Sequence, residues 1–153
     1  MPLILVRHAV AESRRDWDEP DLVRPLDERG RQQADSLVEQ LAPYPVERVL
    51  SSPYLRCTQT VAPLASKLGL ALEERDELAE GMARDAVELV RSLRGVTAVL
   101  CSHGDVIPRV LQTLVVEDGL DIGDDPRWQK GSSWVLDGEG ERITSARYLR
   151  PPA

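Results

Sequence analysis

The sequence predicts an α/β fold, a three-layer α/β/α sandwich around a mainly parallel central sheet. Two observations predict it. Short apolar runs typical of buried strands alternate with amphipathic helical segments along most of the 153 residues. Residues able to bind an anion directly follow three of these runs, and the ligands of open parallel sheets collect at the carboxyl ends of the strands.

The first strand and the first helix have the clearest patterns. Residues 3–6 form a continuous apolar run, which favours a central strand covered by helices on both faces. Asp27 is a good helix cap, and apolar residues recur at helical spacing after it until Pro43 stops the pattern. We therefore expect a buried strand followed by an amphipathic helix.

The next unit repeats this order. Residues 46–50 predict a second strand, and residues 51–53 (Ser-Ser-Pro) lead into a helix with the proline at an early helical position. Arg56 then falls in the first turn of that helix, which ends near Gly69. Residues 70–72 predict a short third strand.

The second half continues the alternation. It contains a helix over residues 85–93, a strand over residues 97–101, a helix that runs through Leu114, and two closing strands over residues 133–136 and 143–148. Trp128 and Trp134 are expected in the core, and Lys130 between them is a candidate for the substrate entrance.

Composition narrows the possible functions. The net charge of −7 opposes binding to nucleic acid polymers or to an anionic membrane, so an anionic substrate needs a local basic pocket. Acidic residues 117–126 are interpreted as a solvated loop. Cys57 and Cys101 lack CxxC spacing, so we expect neither a disulfide framework nor a zinc site, and a reducing cytoplasm is the expected location.

Both histidines of the chain follow predicted strands. His8 comes after Arg7 at the end of the first strand, and His103 comes directly before Gly104 at the end of another. One such histidine alone is more often structural, but two at the same sheet edge favour chemistry. A neutral imidazole can accept a phosphoryl group, and the planar guanidinium of an arginine such as Arg7 or Arg56 pairs with phosphate oxygens. Taken singly, each arginine could equally form a surface ion pair.

Three segments, LVRHA, SSPYLRCTQT and CSHGD, resemble the histidine phosphatase superfamily, also called phosphoglycerate mutase-like. The order and spacing of the three motifs carry the resemblance over nearly the whole chain. The segments RPLDERGRQQA and KGSSWVL make it most similar to the short SixA-type branch and to the phosphatase module that some bacteria fuse behind a Nudix domain. No Nudix box is present in this sequence. The resemblance implies a phosphoglycerate mutase-like fold and a single histidine phosphatase domain over residues 1–153.

The resemblance also implies roles for individual residues. His8 is expected to be phosphorylated during turnover, Arg7 and Arg56 to bind the transferring phosphoryl group, and His103 to stabilise the transition state. Gly104 is expected to contact substrate beside His103.

Two positions depart from the family pattern. Ala9 stands where the third motif residue is usually glycine. Arg14 stands where many relatives have asparagine, and it either adds a phosphate contact or faces solvent.

Cleavage of a phosphate ester needs a proton donor for the leaving oxygen. In larger relatives a glutamate supplies it, and the segment DELAEGMARD offers Glu77 and Glu80. Glu80 is preferred because the family commonly has glutamate followed by glycine here. The alternative is that each carboxylate is a solvated loop charge.

These residues lead to an expected function. We expect a metal-independent phosphatase without a cofactor that hydrolyses a phosphomonoester or a phosphohistidine through a phosphohistidine on His8. The alternatives are a phosphomutase with the same intermediate and a noncatalytic phosphate-binding regulatory module. The expected partner is a phosphorylated small molecule, a nucleotide or a phosphohistidine protein.

Overall fold

In the computed structural model, which describes residues 1–152, β-strands form one six-stranded sheet with helices on both faces. The strands are β1 (Leu3–Arg7), β2 (Arg48–Ser51), β3 (Leu72–Glu74), β4 (Ala98–Ser102), β5 (Ser133–Glu139) and β6 (Arg142–Leu149). The α-helices are α1 (Glu28–Gln40), α2 (Leu55–Leu68), α3 (Ala83–Ser92) and α4 (Val106–Asp118).

The sheet is parallel at its centre, as the sequence predicts. Its strand order is β3-β2-β4-β1-β5-β6. Strands β3, β2, β4 and β1 run parallel to one another, whereas β5 is antiparallel to β1 and β6 is antiparallel to β5. The parallel strands therefore end at one common edge of the sheet.

The helices cover the sheet as two outer layers. Ile4 and Val6 of β1 pack into a core cluster with α1 and α2, while Leu3 and Leu5 pack into a second cluster with α3 and α4. This alternation follows from the period of two along a strand. The expected α/β/α sandwich is confirmed.

Two predicted helix boundaries are found at the expected caps. The side chain of Asp27 accepts a hydrogen bond from the backbone N–H of Gly30 at 2.8 Å, and α1 starts at Glu28. Gly69 ends α2 in a left-handed conformation with φ of 67°, which glycine adopts without a steric cost.

Two local predictions are wrong in detail. The third strand lies at Leu72–Glu74, not at residues 70–72, because the N–H of Leu70 bonds to Ala65 O and closes the end of α2. Pro53 precedes α2, which starts at Leu55 with Tyr54 as its N-cap.

The acidic segment at residues 117–126 is not entirely a solvated loop. Glu117 and Asp118 form the last turn of α4, and Asp118 is buried. Its carboxylate pairs with Arg91 at 3.0 Å and accepts the backbone N–H of Ile143 at 2.8 Å. A distant arginine thus makes burial of this acid favourable.

Of the two tryptophans expected in the core, Trp134 is buried and donates its indole N–H to Arg127 O at 2.8 Å, while Trp128 is half-buried against the core. Cys57 and Cys101 are buried free thiols. None of the helices within residues 1–152 combines the length and apolar character needed to cross a membrane.

Gly30 tests how tightly α1 packs on the segment after β1. A Cβ at this position would overlap the carbonyl oxygen of Val10, which is held in place by the N–H of Asp27 at 3.1 Å. Helix propensity alone would make Gly30→Ala stabilising by about 1 kcal/mol. We expect the steric overlap to win and the variant to lose about 1–3 kcal/mol of unfolding free energy in urea denaturation. Exposed Gln32→Ala in the same helix is the control, and stabilisation of Gly30→Ala would contradict this packing.

Candidate active site

Polar residues from three neighbouring parallel strands meet at the carboxyl edge of the sheet. His8 follows β1, Ser52 follows β2, and His103 follows β4. The strand register aligns these ends, with Arg7 opposite Ser102 in the β1–β4 pair. The expected convergence of the strand ends is found, and His8 and His103 border a cavity of about 690 Å³, whereas Ser52 is fully buried beneath it.

The imidazole of His8 is held through one ring nitrogen. Its Nδ1 lies 2.8 Å from the carbonyl oxygen of Ala9, which can only accept, so Nδ1 carries the proton. Nε2 takes part in none of the hydrogen bonds among residues 1–152, and it is not sealed from solvent. The side chain therefore presents a free lone pair to the cavity.

The alanine in place of the usual glycine fits this arrangement. Ala9 is fully buried and packs with Leu26 and Ala34 in a small cluster of its own. Its N–H donates to Thr60 Oγ1 at 2.9 Å, which fixes the backbone beside His8.

The site keeps His8 uncharged. The pKa of His8 is lowered to about 3, mainly by burial, and the charges of His103, Arg56 and Arg7 contribute to this lowering. The hydrogen bond to Ala9 O opposes this shift without cancelling it. At neutral pH the ring is therefore uncharged.

Arg7 lies on the cavity wall and depends on Gly104. Its Nη1 donates to Trp128 O at 2.8 Å. A Cβ on Gly104 would come within 2.7 Å of the Arg7 guanidinium, so the absent side chain leaves room for the arginine. Burial lowers the pKa of Arg7 below its ordinary value.

His103 is fixed by a serine that the sequence analysis did not single out for this role. Its Nε2 lies 2.8 Å from Ser52 Oγ, and the Tyr54 ring meets it edge-on at 4.8 Å. Its Nδ1 is buried without a hydrogen-bond partner among residues 1–152 and lies 3.6 Å from Glu80 Oε1. The rings of His8 and His103 are 5.6 Å apart.

Arg56 has a fully buried side chain. Its Nη2 donates to Glu80 Oε1 at 2.6 Å and to Asp21 Oδ2 at 3.1 Å, and Nη1 donates to Asp21 O at 3.1 Å. The Tyr54 ring lies 4.8 Å from the guanidinium carbon. Arg56 therefore stands behind Glu80, which itself lines the cavity.

The two candidate acids have different surroundings. Glu80 lies among Arg56, His103 and, at 3.6 Å, Arg14. Glu77 pairs instead with Arg75 at 2.6 Å, is absent from the cavity lining, and has its pKa lowered by that hydrogen bond. The geometry brings Glu80 to the site and leaves Glu77 outside it.

Sequence reasoning missed Arg24 and Asp21, and it treated Lys130 only as a candidate for the substrate entrance. Arg24 is buried in the cavity wall, and its Nε bonds to Asp21 at 2.9 Å. Arg24 and Asp21 come from a segment without helical or strand periodicity. Only the segment RPLDERGRQQA, which carries part of the family resemblance, includes Arg24. Lys130 lines the cavity, where the sequence analysis expected the entrance. Arg14 also lines it, with its side chain 72% exposed.

Within the described part of the chain, no group of three or more His, Cys, Asp or Glu side chains is arranged to hold a metal ion. The cavity wall contains four cationic side chains, which belong to Arg7, Arg14, Arg24 and Lys130. Such charges can stabilise a bound phosphate.

Comparisons with known proteins agree with this geometry. Residues 3–85 match the family described as the histidine phosphatase superfamily (branch 1). An 8-oxo-(d)GTP phosphatase of Mycolicibacterium smegmatis is 32% identical over 98% of this chain and 48% of its own length, so the chain spans about half of that relative.

Solved structures show the same fold. The protein histidine phosphatase SixA complexed with tungstate is 26% identical, with a TM-score of 0.77 over 99% of this chain and 97% of its own. The SixA structure from Agrobacterium tumefaciens is 25% identical, with a TM-score of 0.75 over 98% of this chain and 97% of its own. The resemblance drawn from the motifs is confirmed.

The lowered pKa of His8 makes stability depend on pH. The folded pKa of about 3 lies below the ordinary value of 6.5, so between these values the unfolded chain binds a proton that the native chain does not. Stability is complete above pH 6.5 and falls as the pH decreases. From pH 7 to pH 5 we expect wild type to lose about 2 kcal/mol more unfolding free energy than His8→Asn, as measured by urea denaturation. Parallel pH profiles for the two proteins would contradict a neutral buried His8.

Proposed function

The chain belongs to the histidine phosphatase superfamily (branch 1), and from this premise we propose that it is a metal-independent phosphatase whose His8 carries the phosphoryl group during turnover. Phosphatase activity is what the family and the structural relatives support. The observation that carries the finer proposal is the hydrogen bond between His8 Nδ1 and Ala9 O at 2.8 Å, which leaves Nε2 free toward the cavity.

The reaction has two displacement steps. Nε2 of His8 attacks phosphorus, and the bond between phosphorus and the leaving oxygen breaks. Water then attacks the phosphohistidine, the phosphorus–nitrogen bond breaks, and inorganic phosphate leaves with neutral His8 restored. The Nδ1–H bond to Ala9 O stabilises the ring while it carries the phosphoryl group.

The charge on the transferring group is met by fixed donors. Arg7 lies in the wall beside His8, and His103 is held in place by Ser52. Arg56 becomes available to phosphate oxygens where Glu80 now contacts it. Preorganised positive charge of this kind stabilises the phosphoryl-transfer transition state without a metal ion.

Glu80 marks where the phosphoryl group binds. Its Oε1 touches Arg56 Nη2 and lies near His103 Nδ1, the donors that a phosphate oxygen would use. A bound phosphate and an ionised Glu80 would repel each other across these donors. Binding therefore favours a protonated Glu80 that turns toward the leaving oxygen, which is the state that a general acid needs.

The relatives supply two substrate classes. The Mycolicibacterium smegmatis relative is an 8-oxo-(d)GTP phosphatase, and SixA is a protein histidine phosphatase. We propose that this chain likewise acts on a phosphorylated substrate bound in the 690 Å³ cavity. Hydrolysis is preferred over phosphomutase activity because the 153-residue chain lacks long insertions that could enclose a bisphosphorylated intermediate.

The covalent step is tested at His8. We expect His8→Ala to lose p-nitrophenyl phosphate hydrolysis in the presence of a chelator while its circular dichroism spectrum stays that of wild type. Alkaline quenching of wild type with phosphorus-labelled substrate should leave phosphate on the protein that is stable in base and is lost in acid. Activity retained by His8→Ala, together with unlabelled wild type, would rule out the phosphohistidine.

The acid role of Glu80 is tested by the leaving group. Glu80→Gln should slow alkyl phosphate hydrolysis by about 10²-fold to 10⁴-fold, because an alkoxide leaves poorly without a proton. The effect on p-nitrophenyl phosphate should be much smaller, since its leaving group is already a stable anion. Glu77→Gln is the matched control and should leave both rates unchanged. Equal, small losses on both substrates in Glu80→Gln would make Glu80 a loop charge.

A further inference from the structure

The cavity contains more positive charge than one phosphoryl group requires. The proposed phosphoryl site uses Arg7 and Arg56 together with the two histidines. Arg24 and Lys130 line the same cavity and have no part in that site. Cations close together repel each other, and Lys130 has no carboxylate partner within residues 1–152, so this grouping can accommodate a further anion.

Arg24 is held in a position from which it can donate hydrogen bonds to an anion. Its side chain is only 8% exposed, its Nε bonds to Asp21 Oδ1 at 2.9 Å, and its Nη1 bonds to Glu12 O at 2.7 Å. Nη2 forms no hydrogen bond within residues 1–152, and it is not among the sealed polar atoms. One edge of a rigidly held guanidinium therefore faces the cavity unused.

Lys130 is fixed close to the nucleophile through its neighbour. The N–H of Gly131 bonds to the carbonyl oxygens of Arg7 at 3.1 Å and His8 at 3.0 Å. Lys130 has no carboxylate within 4 Å in the described part of the chain. Burial lowers the pKa of Lys130, and the positive charges of Arg7 and Arg24 lower it further.

The carboxylates of the cavity wall are engaged elsewhere or remote from this lysine. Glu80 contacts the cations of the phosphoryl site, and Asp105 accepts the N–H of Gly81 at 2.8 Å. Glu12 also lines the cavity, yet its carboxylate forms no ion pair with Lys130. Lys130 is solvent-exposed at the cavity wall and forms no ion pair within residues 1–152, so its ammonium group is available to an anionic ligand.

We propose that Arg24 and Lys130 form a second anion subsite, which binds the phosphate next to the transferring phosphoryl group. The substrates are then phosphoanhydrides, such as nucleoside diphosphates or triphosphates. This inference rests on the proposed function, because the terminal phosphoryl group is the one that passes to His8. A phosphohistidine on a protein has no adjacent phosphate and would leave Lys130 and the free edge of Arg24 without a phosphate to bind.

The subsite also explains how the leaving group departs. Nε2 of His8 attacks the terminal phosphorus, and the bond from that phosphorus to the bridging oxygen breaks. The electron pair stays on the departing phosphate, where Arg24 and Lys130 stabilise the added charge. Water hydrolyses the phosphohistidine, and the products are inorganic phosphate and a substrate shortened by one phosphate.

Competitive inhibition of p-nitrophenyl phosphate hydrolysis tests the subsite with non-hydrolysable probes. Methylenediphosphonate should inhibit wild type at least tenfold more tightly than methylphosphonate, because only the diphosphonate reaches Arg24 and Lys130. Lys130→Gln should reduce this preference by about 10-fold to 100-fold, the usual worth of a charge-assisted hydrogen bond. Lys67→Gln, which changes the other lysine of the chain at an exposed position in α2, should keep the preference.

Turnover provides a second readout. With GDP as the phosphoanhydride, Lys130→Gln should lose at least tenfold more kcat/KM than it loses with p-nitrophenyl phosphate. Arg24→Lys retains the charge but loses the free guanidinium edge. It should likewise lose more kcat/KM with GDP than with p-nitrophenyl phosphate.

The outcomes separate the two proposals. If p-nitrophenyl phosphate is not hydrolysed through His8, the proposed function fails, and calorimetric binding of the two phosphonates still tests the subsite. If hydrolysis through His8 stands but the diphosphonate preference is absent, or is equal in Lys130→Gln and Lys67→Gln, the second subsite is wrong.

Discussion

A guanidinium sealed from water at Arg56 constrains the whole site. Burying a charge is very unfavourable unless it is paired and hydrogen-bonded. Two carboxylates meet this need, Asp21 from the segment before α1 and Glu80 from the loop before α3, at 3.1 and 2.6 Å. Each contact draws an irregular segment onto the end of the sheet, and these segments form much of the cavity wall. The same pairing places the Glu80 carboxylate where substrate phosphate is proposed to bind. The buried charge of Arg56 therefore both positions the wall of the site and makes this position suitable for an anion.

Sequence reasoning succeeded where short local patterns decide the structure. Residues 3–6 and the run before His103 read as buried strands, and the common edge of a parallel sheet brings their following residues together. Sequence reasoning failed where a residue far away in the chain determines the environment of a side chain. Asp118 looked like a loop acid until Arg91 paired with it, and Asp21 carries no sign in the sequence that it reaches an arginine 35 residues away. Such contacts depend on how loops fold back, which periodicity does not encode.

Gly104 illustrates how a residue expected at the site can also have a structural role. The motif led us to expect that it contacts substrate beside His103. The structure adds a steric cause within the protein, because a side chain there would strike the guanidinium of Arg7. Ala9 shows the opposite case, since its methyl group fits a small buried cluster and the usual glycine is unnecessary. Where a residue departs from the family motif, the space available around its Cβ therefore explains whether the change is tolerated.

The two proposed aids to the leaving group serve different chemistries within one cavity. An alkoxide needs the proton of Glu80, whereas a departing phosphate is a stable anion that needs positive charge instead. For a phosphoanhydride, Arg24 and Lys130 would supply that charge, and Glu80 would only have to release Arg56 to the incoming phosphoryl group. Glu80 would then act mainly as the anion that the substrate displaces. On this view the position of Glu80 is set first by the buried Arg56, and its use as an acid depends on which substrate enters.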